Sequence, residues 1–312
     1  MSPSIWAWRG ERVKKMHQAV DHVLCLFPFE LPLYAEVGLR AVCVGHPLLD
    51  SLEAKRIPKP APASEPHSPP DAEKGPRAPW RDDPRLAELP LDAQMRLEKW
   101  QRETQREWEL MRQDGRDITL IAMLPGSRMK EVRRIFPIMV RVAEELGIRW
   151  EEIRFEAAAA SEVIADEMRR ILEPYDFNED FCTISVGSAH ELMQRAGAGM
   201  VCSGTATLES TFFGLPMVIL YKAAWLTWVV GKCLVKIPWL GLPNVLAGRE
   251  IIREFLQAGA QTEPIIAELS RLLDYHENRE EQQRAQAAVI ASLGERGAAK
   301  RAADAIATEL AG

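Results

Sequence analysis

Cysteine is scarce and scattered. The five residues are Cys25, Cys43, Cys182, Cys202 and Cys233. Their number is odd and no two form a CxxC pair, which argues against a zinc ribbon or a disulfide framework and points to a reducing compartment. Long apolar runs are also missing. The richest stretch, Phe212 to Val235, is broken by Pro216, Lys222 and Lys232, so no membrane span is expected. The opening MSPSIWAWRGERVKK lacks the apolar core of a secretory signal. Positive charge is not in surplus: 39 Lys+Arg stand against 45 Asp+Glu, a net charge of −6. That balance excludes a dedicated nucleic-acid binder. The P-loop pattern, GxGxxG and HExxH are all absent, and no Ser/His/Asp or Cys/His arrangement can be read from spacing. No acidic cluster suggests a metal site.

What remains is a folded-protein profile, with 47% hydrophobic and 27% charged residues among 312. The length suggests about two domains. Residues 1–52 are apolar and aromatic. Asp21 to Phe27 and Ala41 to Val44 read as buried strands around a helix from Pro32 to Gly38. Residues 53–80 turn abruptly Pro- and charge-rich, so they cannot bury a core. Residues 81–116 read as a charged helix with one apolar stripe. Alternation then resumes. Strands are expected at Ile118 to Leu124, Ile153 to Ala160, Cys182 to Val186, Ala198 to Cys202 and Pro216 to Leu220. Helices are expected at Arg133 to Leu146, Ser161 to Leu172, Ser188 to Arg195 and Thr205 to Phe213, with an Ala-rich helical end. About five strands alternating with helices make an α/β, doubly wound sheet.

Two turns in this pattern can carry chemistry. Pro125-Gly126-Ser127-Arg128, with Glu131 following, lies where a strand gives way to a helix. Glycine admits a close ligand, free N–H groups favour an anion, and arginine grips phosphate oxygens in pairs. Ser203-Gly204-Thr205-Ala206-Thr207, with Glu209 one turn on, has the same setting. It reads as a phosphate cradle with a carboxylate for ribose hydroxyls, or equally as a Ser/Thr cap with a capping-box glutamate. Two such turns at one end of a sheet suggest a nucleotide diphosphate. A third stretch, Leu242 to Glu250, follows Lys222, Trp225, Trp228, Lys232, Lys236 and Trp239. Its basic and aromatic mixture suits a membrane surface or an amphiphilic ligand, or else a core helix with snorkelling lysines. His46 follows a strand and reads as a cleft residue or as a packed, capping one.

The segments SPSIWAWR (2–9), VGHPLLDSL (44–52), MLPGSR (123–128), SGTATLE (203–209) and LPNVLAGRE (242–250) come in a characteristic order and spacing. With them the sequence resembles the lipid-A-disaccharide synthases, inverting glycosyltransferases of GT-B fold. The resemblance covers 1–52 and about 118–290, leaving the insertion outside. It implies one complete Rossmann-like C-terminal domain and a remnant of the N-terminal one, and, as GT-B transferases usually need no metal, neither metal nor cofactor is expected. The expected division is 1–52 remnant acceptor domain, 53–117 insertion, 118–290 donor-binding domain and 291–312 C-terminal helix. It implies transfer of 2,3-diacylglucosamine from UDP to 2,3-diacylglucosamine 1-phosphate, giving a β-1,6 disaccharide and UDP. The place would be the cytoplasmic, inner face of a Gram-negative inner membrane, as a peripheral protein. Gly126, Ser127, Arg128, Glu131, Ser203, Gly204, Thr205, Ala206 and Thr207 would hold the diphosphate region and Glu209 the ribose. Asn244, Arg249 and Glu250 would line the donor side. The family's leading Rossmann-like half, with its glycine-rich loop and the Asp expected as general base, has no counterpart in this sequence. The catalytic base is therefore expected in that half, with this sequence either a piece of a longer chain or the partner of a separate polypeptide that carries the half; a homo-oligomer is the other expected association. The alternative expectation is a UDP or UDP-sugar binding module without transferase activity.

Overall fold

The computed structural model describes residues 12–57, 116–150, 152–175, 177–178, 180–222 and 239–311. The segment 2–9, the 81–116 helix apart from Arg116, and most of the Lys/Trp stretch lie outside the described residues.

The first lobe is small. Helix α1 (Arg12–Met16) precedes strand β1 (His22–Cys25), helix α2 (Leu31–Ala35), strand β2 (Arg40–Cys43) and helix α3 (Leu48–Glu53). β1 and β2 pair in parallel, with Val13, Val23, Cys25, Tyr34 and Leu39 as their buried cluster. The first strand is shorter than the expected Asp21 to Phe27. The Glu30 carboxylate accepts the N–H groups of Leu26 and Phe27, turning the chain into a short 3-10 helix at Pro28–Glu30.

The second lobe is a six-stranded, wholly parallel sheet. Its strands are β3 (Asp117–Leu124), β4 (Arg154–Ala159), β5 (Cys182–Val186), β6 (Ala196–Cys202), β7 (Met217–Tyr221) and β8 (Glu254–Leu256). Their order is β5-β4-β3-β6-β7-β8. The expected five strands are present, and β8 is a sixth. Helices α4 (Met129–Arg149), α5 (Glu162–Leu172), α6 (Ala189–Arg195), α7 (Thr205–Phe212), α8 (Leu242–Ala247), α9 (Thr262–Asp274), α10 (His276–Ser292) and α11 (Ala298–Ala311) complete it. Both faces of the sheet are covered, which is why its strands read as apolar runs rather than alternating ones. Ile121 and Met123 face a cluster with α4, α5 and α9. Leu120, Ala122 and Leu124 face the opposite cluster, which holds Leu192, Leu208 and Ile290. That second cluster also takes in Phe27, Leu49 and Leu52 from the first lobe, so the two lobes share a core.

The central pair β3/β6 is tight. A methyl on Gly197 would sit 2.5 Å from the Ile118 Cα, and one on Gly199 would sit 2.8 Å from a Leu215 methyl. The register shifts between Asp117 and Ile121, beside Gly197. Only glycine lets the strands approach so closely there.

Several boundaries move. α4 begins at Met129 rather than Arg133, because Arg128 already holds the extended N-cap conformation. Asp117, placed in the insertion by sequence, is the first residue of β3. The line drawn at 290 falls inside α10, and a separate α11 follows after Gly294 and Gly297, both at positive φ. The Ala-rich end is therefore three helices, of which α11 returns to the first lobe.

Candidate functional site

Strand order reverses about β3 and β6: the chain winds from β3 toward β5, then returns to add β6, β7 and β8 on the other side. The crevice at the carboxyl ends of such a pair is where open parallel sheets bind ligands. The two turns singled out in the sequence leave these two strands. Residues 125–128 join β3 to α4, and 203–204 join β6 to α7. The structure thus brings them together at the switch point.

At the first turn, Gly126 has φ +104. An added Cβ would also meet Glu131 Oε2 at 2.6 Å. Conformation and space both demand glycine there. α4 starts with no side-chain cap, so its first N–H groups face outward with the positive end of the helix dipole. Ser127 is exposed. Arg128 is 82% exposed, and Nη1 donates to Glu131 Oε1 at 3.0 Å. An exposed i,i+3 ion pair holds by less than about 1 kcal/mol. The guanidinium is therefore cheap to redirect to a phosphate.

At the second turn, Gly204 is the N-cap of α7 and again no side chain caps the helix. Neither Ser203 nor Thr205 takes the capping role. The Ser203 hydroxyl instead donates to the Leu240 carbonyl at 3.3 Å. Thr207 is buried and donates to the Gly204 carbonyl at 2.7 Å, so it shapes the turn from inside. Thr205 is exposed, Ala206 is half-buried, and the space beside Gly204 is open. Glu209 does not complete a capping box. Its Oε2 receives His190 Nε2 at 2.9 Å.

The third stretch divides by role. Asn244 is fully buried, and its amide is fully used. Nδ2 donates to the Ile252 carbonyl and to Glu254 Oε1, both at 2.7 Å, while Oδ1 accepts Ile251 N–H and Ile252 N–H. Glu254 meanwhile accepts the N–H groups of Leu240 and Gly241, each at 2.9 Å. Asn244 therefore fastens the 251–254 backbone and has no amide hydrogen left to offer a ligand. Its neighbours differ: Arg249 and Glu250 are exposed just past the left-handed Gly248, with Glu250 paired to Arg253 at 3.0 Å. Glu254 was missed from the sequence because nothing marks a strand glutamate as a backbone acceptor. His46 caps: its Nδ1 accepts Leu48 N–H at 3.1 Å, and burial pushes its pKa down.

Burial pushes the Cys202 thiol, at the end of β6, up to about 12, with the Glu131 charge adding to it. It is an inert wall residue at neutral pH. Among the described residues, no three His, Cys, Asp or Glu side chains gather in a way that could hold a metal ion. No described helix is long and apolar enough to cross a membrane.

The family model for lipid-A-disaccharide synthetase matches residues 1–64 and 92–308. Lipid-A-disaccharide synthase from Idiomarina loihiensis is 33% identical over 274 residues, covering 88% of this chain and 60% of that protein. The one from Anaeromyxobacter dehalogenans is 35% identical over 306 residues, covering 97% of this chain and 66% of that protein. The Methylobacillus flagellatus protein is 34% identical over 277 residues, covering 88% and 60%. The chain thus spans 60–66% of the length of these relatives. The matched segments include both turns at the switch point, and the chain belongs to the lipid-A-disaccharide synthase family.

Proposed function

We propose that this chain supplies the nucleotide-sugar side of a transferase that moves 2,3-diacylglucosamine from UDP to 2,3-diacylglucosamine 1-phosphate. The products are a β-1,6 disaccharide and UDP. The observation that carries this reading is the meeting of two uncapped helix starts at the switch point, with a loosely held arginine at the first of them. The diphosphate lies across the starts of α4 and α7, gripped by Arg128 and by backbone N–H groups of 126–128 and of 204–206, while Ser203 and Thr207, whose N–H groups bond the Leu220 and Gly204 carbonyls, shape the second turn. As the glycosidic bond to UDP breaks, negative charge builds on the leaving phosphate. Donors already aimed at the two helix starts stabilise that charge. Glu209 takes the ribose diol, Arg249 and Glu250 border the sugar, and Asn244 holds the 251–254 backbone in place. The attacking hydroxyl needs a base to take its proton. No residue of this chain is assigned that role, and we place it in the leading half that the longer relatives carry. With both sugars acylated, the working place is the cytoplasmic surface of the inner membrane. The basic and aromatic composition between Lys222 and Trp239 supports that placement.

Titration calorimetry with UDP tests the site. Arg128→Ala is expected to weaken UDP by roughly 1.5–3 kcal/mol, the worth of a charge-assisted phosphate contact. Unchanged affinity removes Arg128 from the site. With the leading half of a relative supplied in trans, diacylated UDP-glucosamine is expected to react and the unacylated donor not. Reaction of the unacylated donor alone overturns the lipid reading. UDP binding without transfer from either donor makes the chain a binding module instead.

A further inference from the structure

We propose that His190 is the positioning residue for Glu209, presenting its carboxylate to the ribose diol, with Lys55 from the segment after α3 fixing the imidazole tautomer. The assignment deepens the nucleotide reading above and rests on it.

Both imidazole nitrogens are engaged. Lys55 Nζ lies 3.2 Å from Nδ1, and Glu209 Oε2 lies 2.9 Å from Nε2. An ammonium has only protons to give, so Lys55 donates and Nδ1 accepts. The ring proton must then sit on Nε2, where it points into the carboxylate. The result is a one-way chain of donors, from Lys55 through His190 to Glu209, that keeps Glu209 an acceptor. Among the described residues, no hydrogen bond reaches Glu209 Oε1, so one oxygen is held and the other stays open. The His190 and Glu209 side chains are 27% and 21% exposed, so their bond is partly shielded from water. The ring of Phe213 flanks the imidazole at 5.8 Å. A carboxylate already locked in one rotamer loses less entropy when it meets its diol.

The anchor of this chain comes from the other lobe. Gln194 on α6 clamps the 55–57 backbone, accepting Ile57 N–H at 2.8 Å and donating to the Lys55 carbonyl at 3.0 Å. The Arg56 guanidinium covers the Phe212 ring at 4.7 Å. Four successive features therefore fasten the segment leaving the first lobe onto the two helices that carry His190 and Glu209.

The test compares UDP with 2′,3′-dideoxyuridine diphosphate, using calorimetry on the full chain. The wild type is expected to prefer UDP, and Glu209→Ala to erase that preference. His190→Ala is expected to cost UDP about tenfold while leaving the dideoxy compound nearly unchanged, as loss of one charged hydrogen bond requires. His190→Gln keeps a donor near the Nε2 position and is expected to restore most of the preference. Lys55→Met, at an exposed site, is expected to lower the preference by about threefold. Equal loss for both nucleotides in His190→Ala would make the residue merely structural and overturn the assignment. Intact preference in His190→Ala overturns it too, while leaving the nucleotide site standing. Failure of the wild type to bind UDP overturns the site itself, and this assignment with it.

Discussion

Asp274 carries a charge that the fold disfavours. It ends α9, where the helix dipole already disfavours an anion. Its Oδ1 is buried without a hydrogen-bond partner. Burial raises its pKa from 3.8 to about 6. The sign follows from linkage: the folded state binds this proton more tightly than the unfolded one, so stability falls as pH rises through that interval. Asp274→Asn keeps the shape and removes the charge. It is expected to stabilise the protein by about 1–3 kcal/mol at pH 7.5 and to do little near pH 3.5. Thermal melts of both proteins at both pH values check this, and an equal effect at both would refute the burial account. Glu167 shows the opposite sign. Hydrogen bonds from Arg133 and Arg170 hold its pKa down to about 2, so its contribution is present above pH 4.5 and lost as acid protonates it.

At the scale of elements, α10 shows how a polar helix can hold an apolar sheet. Its glutamines reach the turn that opens β7. Gln282 accepts Met217 N–H at 2.6 Å and donates to the Met217 carbonyl at 3.2 Å. Gln286 donates to the Leu215 carbonyl at 2.8 Å and Gln283 to that of Gly214 at 3.1 Å. Gln282→Ala leaves two buried backbone groups unpaired and is expected to cost about 2–4 kcal/mol in urea unfolding, whereas half-buried Gln283→Ala should cost about 1 kcal/mol or less. Equal costs would mean that the clamp does not act through Met217. Such a helix is hard to read in advance, since Gln and Ala fit a solvated surface as well as this one. The apolar strands β3, β4, β6 and β7 were legible because both faces of a parallel sheet must be covered. The switch-point turns were legible because glycine and small hydroxyl residues directly followed those strands. β8 was not, being three residues long with only Phe255 buried. The links Lys55–His190 and Asn244–Glu254 were equally hidden. The first joins residues 135 apart and the second residues 10 apart across a turn, both through ordinary polar side chains that only the fold makes neighbours.

At the scale of the whole molecule, the last helix ties the two lobes together. Asp50 on α3 accepts the N–H groups of Gly297 at 2.9 Å and Ala298 at 3.3 Å, capping α11 from the other lobe. Arg301 on α11 answers it: Nε donates to the Val44 carbonyl at 2.9 Å, and its other nitrogens donate to Arg296 and Glu295 carbonyls at 2.6 Å. Gly45 makes room for this arginine, since an added Cβ would sit 2.7 Å from Nη2 and φ is already +82. Farther along, Glu309 pairs with His22 and Arg40 at the start of β1 and β2. Among its described residues the small lobe has two paired strands and a small core, and two-stranded sheets are marginal alone. Its order must come from Phe27, Leu49 and Leu52 in the shared core and from the clasp of α11. Asp50→Ala and Arg301→Ala are each expected to cost about 1–2 kcal/mol, and because both serve one joint the double variant should cost less than their sum. Hydrogen exchange gives the decisive reading. If α11 is the clasp, amides of β1 and β2 lose protection in either variant while those of β3 and β6 keep theirs. Uniform loss across both sheets would mean that the two lobes unfold as one unit and that the shared core, not the clasp, joins them.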